Sequence, residues 1–142
     1  MINFKRSSKG KILIKRDFED ITHDFSNLEC AFGLETWKNK KNINLDVTKG
    51  NDGYNVKTFV QNLEHEIVQM DVYDGIDLSN YTFVSGIKQD KYTKKDKFLR
   101  INITDNSQFE KNEMVSGQII VNNMWYYGNT YGLNYIYKPF DK

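Results

Sequence analysis

Between Lys97 and Thr104 the chain reads Lys-Phe-Leu-Arg-Ile-Asn-Ile-Thr, so an extended backbone puts Leu99, Ile101 and Ile103 on one face and Phe98, Arg100 and Asn102 on the other. This period of two demands a strand. An ordinary half-buried strand shows solvent only polar groups, whereas this one pairs an outward Phe with an outward Arg. The lysine-rich segment Lys91-Tyr92-Thr93-Lys94-Lys95-Asp96-Lys97 lies directly before it. Rings that stack on bases beside cations that meet phosphates are what single-stranded nucleic acid requires.

The same period recurs through the chain. Ile43, Leu45 and Val47 alternate after the basic turn 38–42, which joins them to a strand over residues 29–37. Residues 81–88 pair across the basic loop with 97–104, and 115–127 pair across Gly128-Asn129-Thr130 with 131–140. Pro139 stands where the last strand must end. Only Val56, Phe59, Val60, Leu63, Ile67 and Met70 keep a helical period, which predicts an amphipathic helix over residues 55–70. Asn55 is its expected cap, and Lys57, Gln61, Glu64 and His65 fall on its outer face. Five main strands and one helix between strand groups predict a mainly β fold, a five-stranded Greek-key barrel of the oligonucleotide-binding type. The 142 residues are expected to form one domain, with residues 1–10 as a flexible basic arm.

Charge is distributed unevenly although the net charge is only +1. Residues 1–16 carry Lys5, Arg6, Lys9, Lys11, Lys15 and Arg16 without an acid, and residues 62–80 carry Glu64, Glu66, Asp71, Asp74 and Asp77 without Lys or Arg. One basic face is therefore compatible with a near-neutral total. Solvated loops would show the same clusters.

Catalytic and metal chemistry find no constellation here. His65-Glu66 opens like a zinc-protease helix, but Gln69 occupies the position of the second histidine. His23 is the only other histidine, and there is no Gly-rich phosphate loop. The lone Cys30 precludes an internal disulfide and reads as a small buried hydrophobe. No cofactor or metal is expected. No apolar run approaches the ~20 residues of a membrane span, and the N-terminal residues lack a signal-peptide block, so a cytoplasmic or nuclear location is expected.

Several segments, taken in order, resemble the single-stranded DNA-binding proteins of large double-stranded DNA viruses and some bacteriophages. They are Phe32-Gly33-Leu34-Glu35-Thr36-Trp37 leading into Ile43-Asn44-Leu45-Asp46-Val47, residues 56–63, residues 98–103, and the closing run Met124-Trp125-Tyr126-Tyr127-Gly128-Asn129-Thr130-Tyr131-Gly132-Leu133-Asn134-Tyr135. The resemblance covers about residues 29–140 and implies an oligonucleotide-binding barrel, with single-stranded DNA as partner and replication or recombination as setting. The chain ends Lys138-Pro139-Phe140-Asp141-Lys142 rather than in the acidic tail of many members of the broader class, so tail-mediated recruitment of replication enzymes is not expected.

The expected contact residues are Trp37, Lys38, Lys40, Lys41, Lys91, Tyr92, Lys94, Lys95, Phe98, Arg100, Trp125 and Tyr127. Trp37 and Trp125 are either stacking platforms or core plugs. Tyr126, Tyr127, Tyr131, Tyr135 and Tyr137 cannot all be interior, because neighbours on a strand face opposite ways. The alternative to nucleic-acid binding is therefore an interaction module, for example an inhibitor of a host factor, that uses this tyrosine-rich hairpin to bind a protein. Choice between DNA and RNA, site size, oligomeric state and replication-protein partners stay open at the sequence level.

Overall fold

The computed structural model describes residues 1–8 and 10–140; Lys9, residues 141–142 and the side chain of Trp37 lie outside the described set. In chain order the elements are β1 (Ile2–Arg6), β2 (Ile12–Arg16), β3 (Ile21–Cys30), β4 (Glu35–Trp37), β5 (Lys40–Asp46), α1 (Gly50–Val68), β6 (Val72–Tyr73), β7 (Ile76–Asp77), β8 (Thr82–Phe83), β9 (Ile87–Gln89), β10 (Asp96–Ile103), β11 (Glu113–Val121), β12 (Asn123–Tyr127), β13 (Thr130–Leu133) and β14 (Ile136–Lys138).

Five of these strands close on themselves in the order β3-β5-β10-β14-β11 and back to β3. Neighbours are antiparallel except β10 and β14, which run parallel through Asn102 and Ile136. The circuit visits the barrel strands as first, second, third, fifth and fourth in the chain, a Greek-key barrel of the oligonucleotide-binding type. A bulge between Val115 and Gly117 opposite β3 gives the bend that closure needs. Inside lie Phe25, Leu28, Cys30, Ile43, Leu45, Leu99, Ile101, Val115 and Ile119, so the alternation in β5 and β10 faces the core as expected.

A second sheet, ordered β1-β2-β12-β13-β8, flanks the barrel. Residues 2–6, expected as part of a flexible arm, instead pair along their whole length with β2. Ile12 and Ile14 anchor that hairpin in the core while Leu13 between them is exposed, an alternation hidden inside a continuous apolar triplet. The β12–β13 hairpin turns at Gly128-Asn129, with Gly128 at φ +60°. That is the type II′ arrangement. The β4–β5 turn is tighter than expected: only Lys38 and Asn39 separate the strands, both at positive φ.

α1 starts at Gly50, five residues before the expected start at residue 55, and its N-cap is Lys49 rather than Asn55. Propensity argues against a helix through Gly-Asn-Asp-Gly, but a tertiary contact overrides it. A side chain at Gly53 would come within 3.1 Å of the Val47 backbone, so glycine lets the first turn lie against the chain leaving β5. Val56, Val60, Leu63 and Ile67 are buried, and Phe59 stacks on His23 of β3 with ring centroids 4.7 Å apart. Met70, expected on the buried face, lies beyond the helix and is exposed. No described helix is long and apolar enough to cross a membrane.

Burial lowers the His23 pKa from its usual value of 6.5, against the opposing pull of Asp24 and Asp52. A lowered pKa favours the neutral ring in the folded state. His23 therefore contributes stability that is fully present above its unfolded pKa and is lost as pH falls through the folded one. Denaturation midpoints should drop on acidification below pH ~6.5, and His23→Phe, which keeps the stack on Phe59, should flatten that part of the profile. An unchanged slope would show that His23 does not contribute.

Candidate nucleic-acid interface

Because β10 pairs with β5 on one side and with β9 and β14 on the other, its outward residues Phe98, Arg100 and Asn102 form the floor of a long depression on the barrel's outer wall. At one end a groove of about 640 Å³ is lined by Phe32, Phe98 and Arg100 together with Lys49, Lys88, Lys91, Tyr92 and Lys97. Arg100 and Lys88 continue into a pocket beside Trp125. Asn102 and Asn134 lead from there to a third depression edged by Lys11, Lys40 and Lys41. The three share lining residues and so form one track along β10.

Phe98 does not play the part expected of it. It points outward, but the Phe32 ring, 5.2 Å away, and the Lys97 ammonium, 5.4 Å from its centroid, cover it and leave it only 9 % exposed. A large apolar ring on an outer strand face recruits cover from a neighbouring loop because its hydration is unfavourable. Phe32 consequently takes the exposed place, at 51 %, and Phe98 supports it from below.

The other expected residues divide between several surfaces. Lys91 and Tyr92 line the groove, and Tyr92 is 85 % exposed. Lys94 and Lys95 line a different depression on the α1 side, together with Tyr54 and Lys57. Lys94 sits at φ +61°, and the loop is pinned from within by Asp90, which accepts from the Tyr92 and Thr93 amides at 3.2 and 2.8 Å. The Thr93 bond holds the Asp90 carboxyl below its usual range. Lys40 and Lys41 stand at the far end of the track and Lys38 occupies the turn. Trp37 pairs through its backbone with Lys40, while its side chain lies outside the described residues. Trp125 is half-buried beside Arg100. Tyr127 is 85 % exposed at the hairpin tip and lines none of the three depressions.

The tyrosine-rich hairpin supplies core rather than surface. Tyr131, Tyr135 and Tyr137 are buried, leaving Tyr127 as its one fully exposed ring among the described residues. A protein-docking face built on those tyrosines loses most of its residues.

Sequence inspection also missed groove residues. Lys88, Lys49, Lys11 and Phe32 have no periodic signal, and only their arrival around β10 marks them. Along the track eight cations face five carboxylates. Several of the acids serve the scaffold: Asp46 accepts from the Thr48 amide and hydroxyl at 2.8 and 2.5 Å, Glu35 from the Asn44 amide at 2.9 Å, and Asp105 from the Ser107 amide at 2.9 Å. Lys88 is half-buried, and burial first, then the nearby Arg100, push its pKa down. Among the described residues neither Lys88 nor Arg100 appears in an ion pair, and no group of His, Cys, Asp and Glu is placed to hold a metal ion.

Compared with protein-family models, curated proteins and solved structures, the chain matches none.

Proposed function

We propose that this protein binds single-stranded nucleic acid, DNA foremost, along the outer face of β10, without catalysis and largely without regard to sequence, so as to protect or organise exposed strands during replication or recombination. The observation that carries this reading is the continuous track in which the exposed Phe32 ring, backed by Phe98, lies among Lys88, Lys91, Lys97 and Arg100. Flat rings offer every base the same π-face, and cations on flexible stems follow a phosphate backbone without reading it. A barrel alone implies no function, since the same fold carries many.

The test is a fluorescence-anisotropy titration with labelled oligonucleotides of roughly 20–30 nucleotides, longer than the 4–16 that one such barrel covers. Single strands should bind more tightly than duplex, whose bases are stacked away from the rings. Affinity should fall about ten- to a hundredfold between 50 and 200 mM salt if roughly three to five phosphates are neutralised. Absence of binding at low salt would refute the proposal.

The two faces of the 90–95 loop make different predictions. Lys88→Ala with Lys91→Ala should flatten the dependence of affinity on salt by about 1–2 in slope. Lys94→Ala with Lys95→Ala, on the α1 side, should change it by less than half as much. Equal effects would mean that the strand wraps the loop rather than following β10.

A further inference from the structure

Where β10 passes the connection between β8 and β9, a pocket of about 200 Å³ opens between Trp125, Asn102, Asn134, Lys88 and Arg100. We propose that it receives one nucleotide of the bound strand, with the base against the Trp125 ring, its edge on the Asn102 and Asn134 amides, and the adjoining phosphate on Lys88 and Arg100. This rests on the assignment of the β10 track to single-stranded nucleic acid and adds to it a base preference at one position.

The cations supply the first reason. Lys88, half-buried and bonded through its ammonium to the Ser85 carbonyl at 3.1 Å, stands close enough to Arg100 for their charges to repel. The Glu64 carboxylate offsets part of this at Lys88, but its oxygens accept from Ser85, Gly86 and Tyr135, and neither cation forms an ion pair among the described residues. Two neighbouring cations without a paired carboxylate are unfavourable in the free protein, and an anion bridging them relieves the repulsion.

The ring supplies the second. Trp125 lies against Gly132, where a Cβ would come within 2.9 Å of the indole and 2.8 Å of the Val84 carbonyl. Only glycine allows the ring to lie so close to the backbone, and this seating orients the indole as a wall of the pocket it lines. A fixed aromatic wall lowers the entropy lost when a base stacks on it.

The amides supply the third. Asn102 donates to Asn134 at 3.5 Å, Asn134 donates to Asn123, and Asn123 donates to Asn122 at 2.8 Å. The Asn102 link is at the outer limit of a hydrogen bond and is readily exchanged for a shorter one to a ligand. Across the strand pair Asn42 faces Asn102, and the buried Asn42 Oδ1 has no partner among the described residues. This amide layer is therefore incompletely satisfied by the protein alone. An amide offers a donor and an acceptor in one plane, the arrangement that reads base edges.

The test compares deoxythymidine, deoxycytidine and deoxyadenosine homopolymers of equal length, together with an abasic deoxyribose-phosphate oligomer, in a Trp37→Phe background so that Trp125 alone reports. Affinities of the three homopolymers should differ by at least about fivefold, the lower end of what one amide–base pairing discriminates. They should quench Trp125 where the abasic oligomer does not. Asn102→Ala with Asn134→Ala should lower the preferred homopolymer to the affinity of the others. Equal affinities in the parent protein, or a preference that survives in the double variant, would overturn the pocket and leave the groove standing. If circular dichroism shows that the double variant does not fold, the homopolymer comparison and the quenching decide. Failure to bind any oligonucleotide would refute the groove and the pocket together.

Discussion

Glu64→Ala should lower the unfolding free energy by about 2–4 kcal/mol, because it leaves buried hydrogen-bond donors without their acceptor. Glu64 is 7 % exposed and accepts from the Ser85 hydroxyl at 2.6 Å, the Gly86 amide at 2.8 Å and the Tyr135 hydroxyl at 2.7 Å. It ties α1 to the segment before β9 and to the residue before β14. Removing it strands the Tyr135 hydroxyl, whose pKa burial and Glu64 already push well above its usual value. A buried donor left without an acceptor loses its water and gains nothing. Glu64→Gln keeps the shape and one acceptor and should lose about half as much. Urea denaturation measures both variants, and a loss below about 1 kcal/mol for the alanine would show that the three bonds are replaced by water.

Phe32→Ala combined with Arg100→Ala should weaken single-strand binding by about 2–4 kcal/mol, roughly 30- to 700-fold, because it removes the exposed stacking ring and the cation between groove and pocket. Stability should fall by only about 1 kcal/mol, since Phe32 is 51 % exposed and Arg100 is exposed, the loss coming from the uncovering of Phe98. Phe98→Ala offers a contrast. Phe98 is 9 % exposed between β5 and β9, so its truncation should cost about 3 kcal/mol or more in stability and reach binding through the loss of support under Phe32. Anisotropy and urea melts on both variants separate the two roles. Unaltered DNA affinity in the Phe32/Arg100 variant would move the binding surface off β10.

The strands that build the barrel were legible because alternation is local. Ile43, Leu45, Leu99, Ile101 and Ile103 each announce their face by their neighbours two residues away, and each is in the core. The Gly128-Asn129 turn and the strand end before Pro139 were legible for the same reason: backbone chemistry limits what those residues can do. The β1–β2 hairpin was missed because Ile12-Leu13-Ile14 is apolar throughout, and a period cannot be read where the outward residue is as hydrophobic as the inward ones.

The candidate site was legible only in part. Arg100, Lys91 and Tyr92 were found from their own strand and loop. Phe32, Lys88 and Asn134 were not, because they come from other segments of the chain and acquire meaning only beside β10. Lys94 and Lys95 were grouped with Lys91 by adjacency in the chain, yet the loop, held by the Asp90 carboxylate, turns them to the α1 side.

By itself, then, the sequence determined the mainly β character, the inward faces of β5 and β10, the one helix and its buried stripe, and the presence of cations and rings around residues 91–100. All of these follow from side-chain periods and backbone propensities acting over a few residues. Only the tertiary structure decided that Phe98 is roofed by Phe32, that Glu64 turns inward to meet Tyr135, and that Trp125 lies on Gly132 beside Arg100. The physical reason is that barrel closure brings together residues separated by tens of positions, and their burial, charge balance and free hydrogen-bonding capacity are set by those partners rather than by chain neighbours.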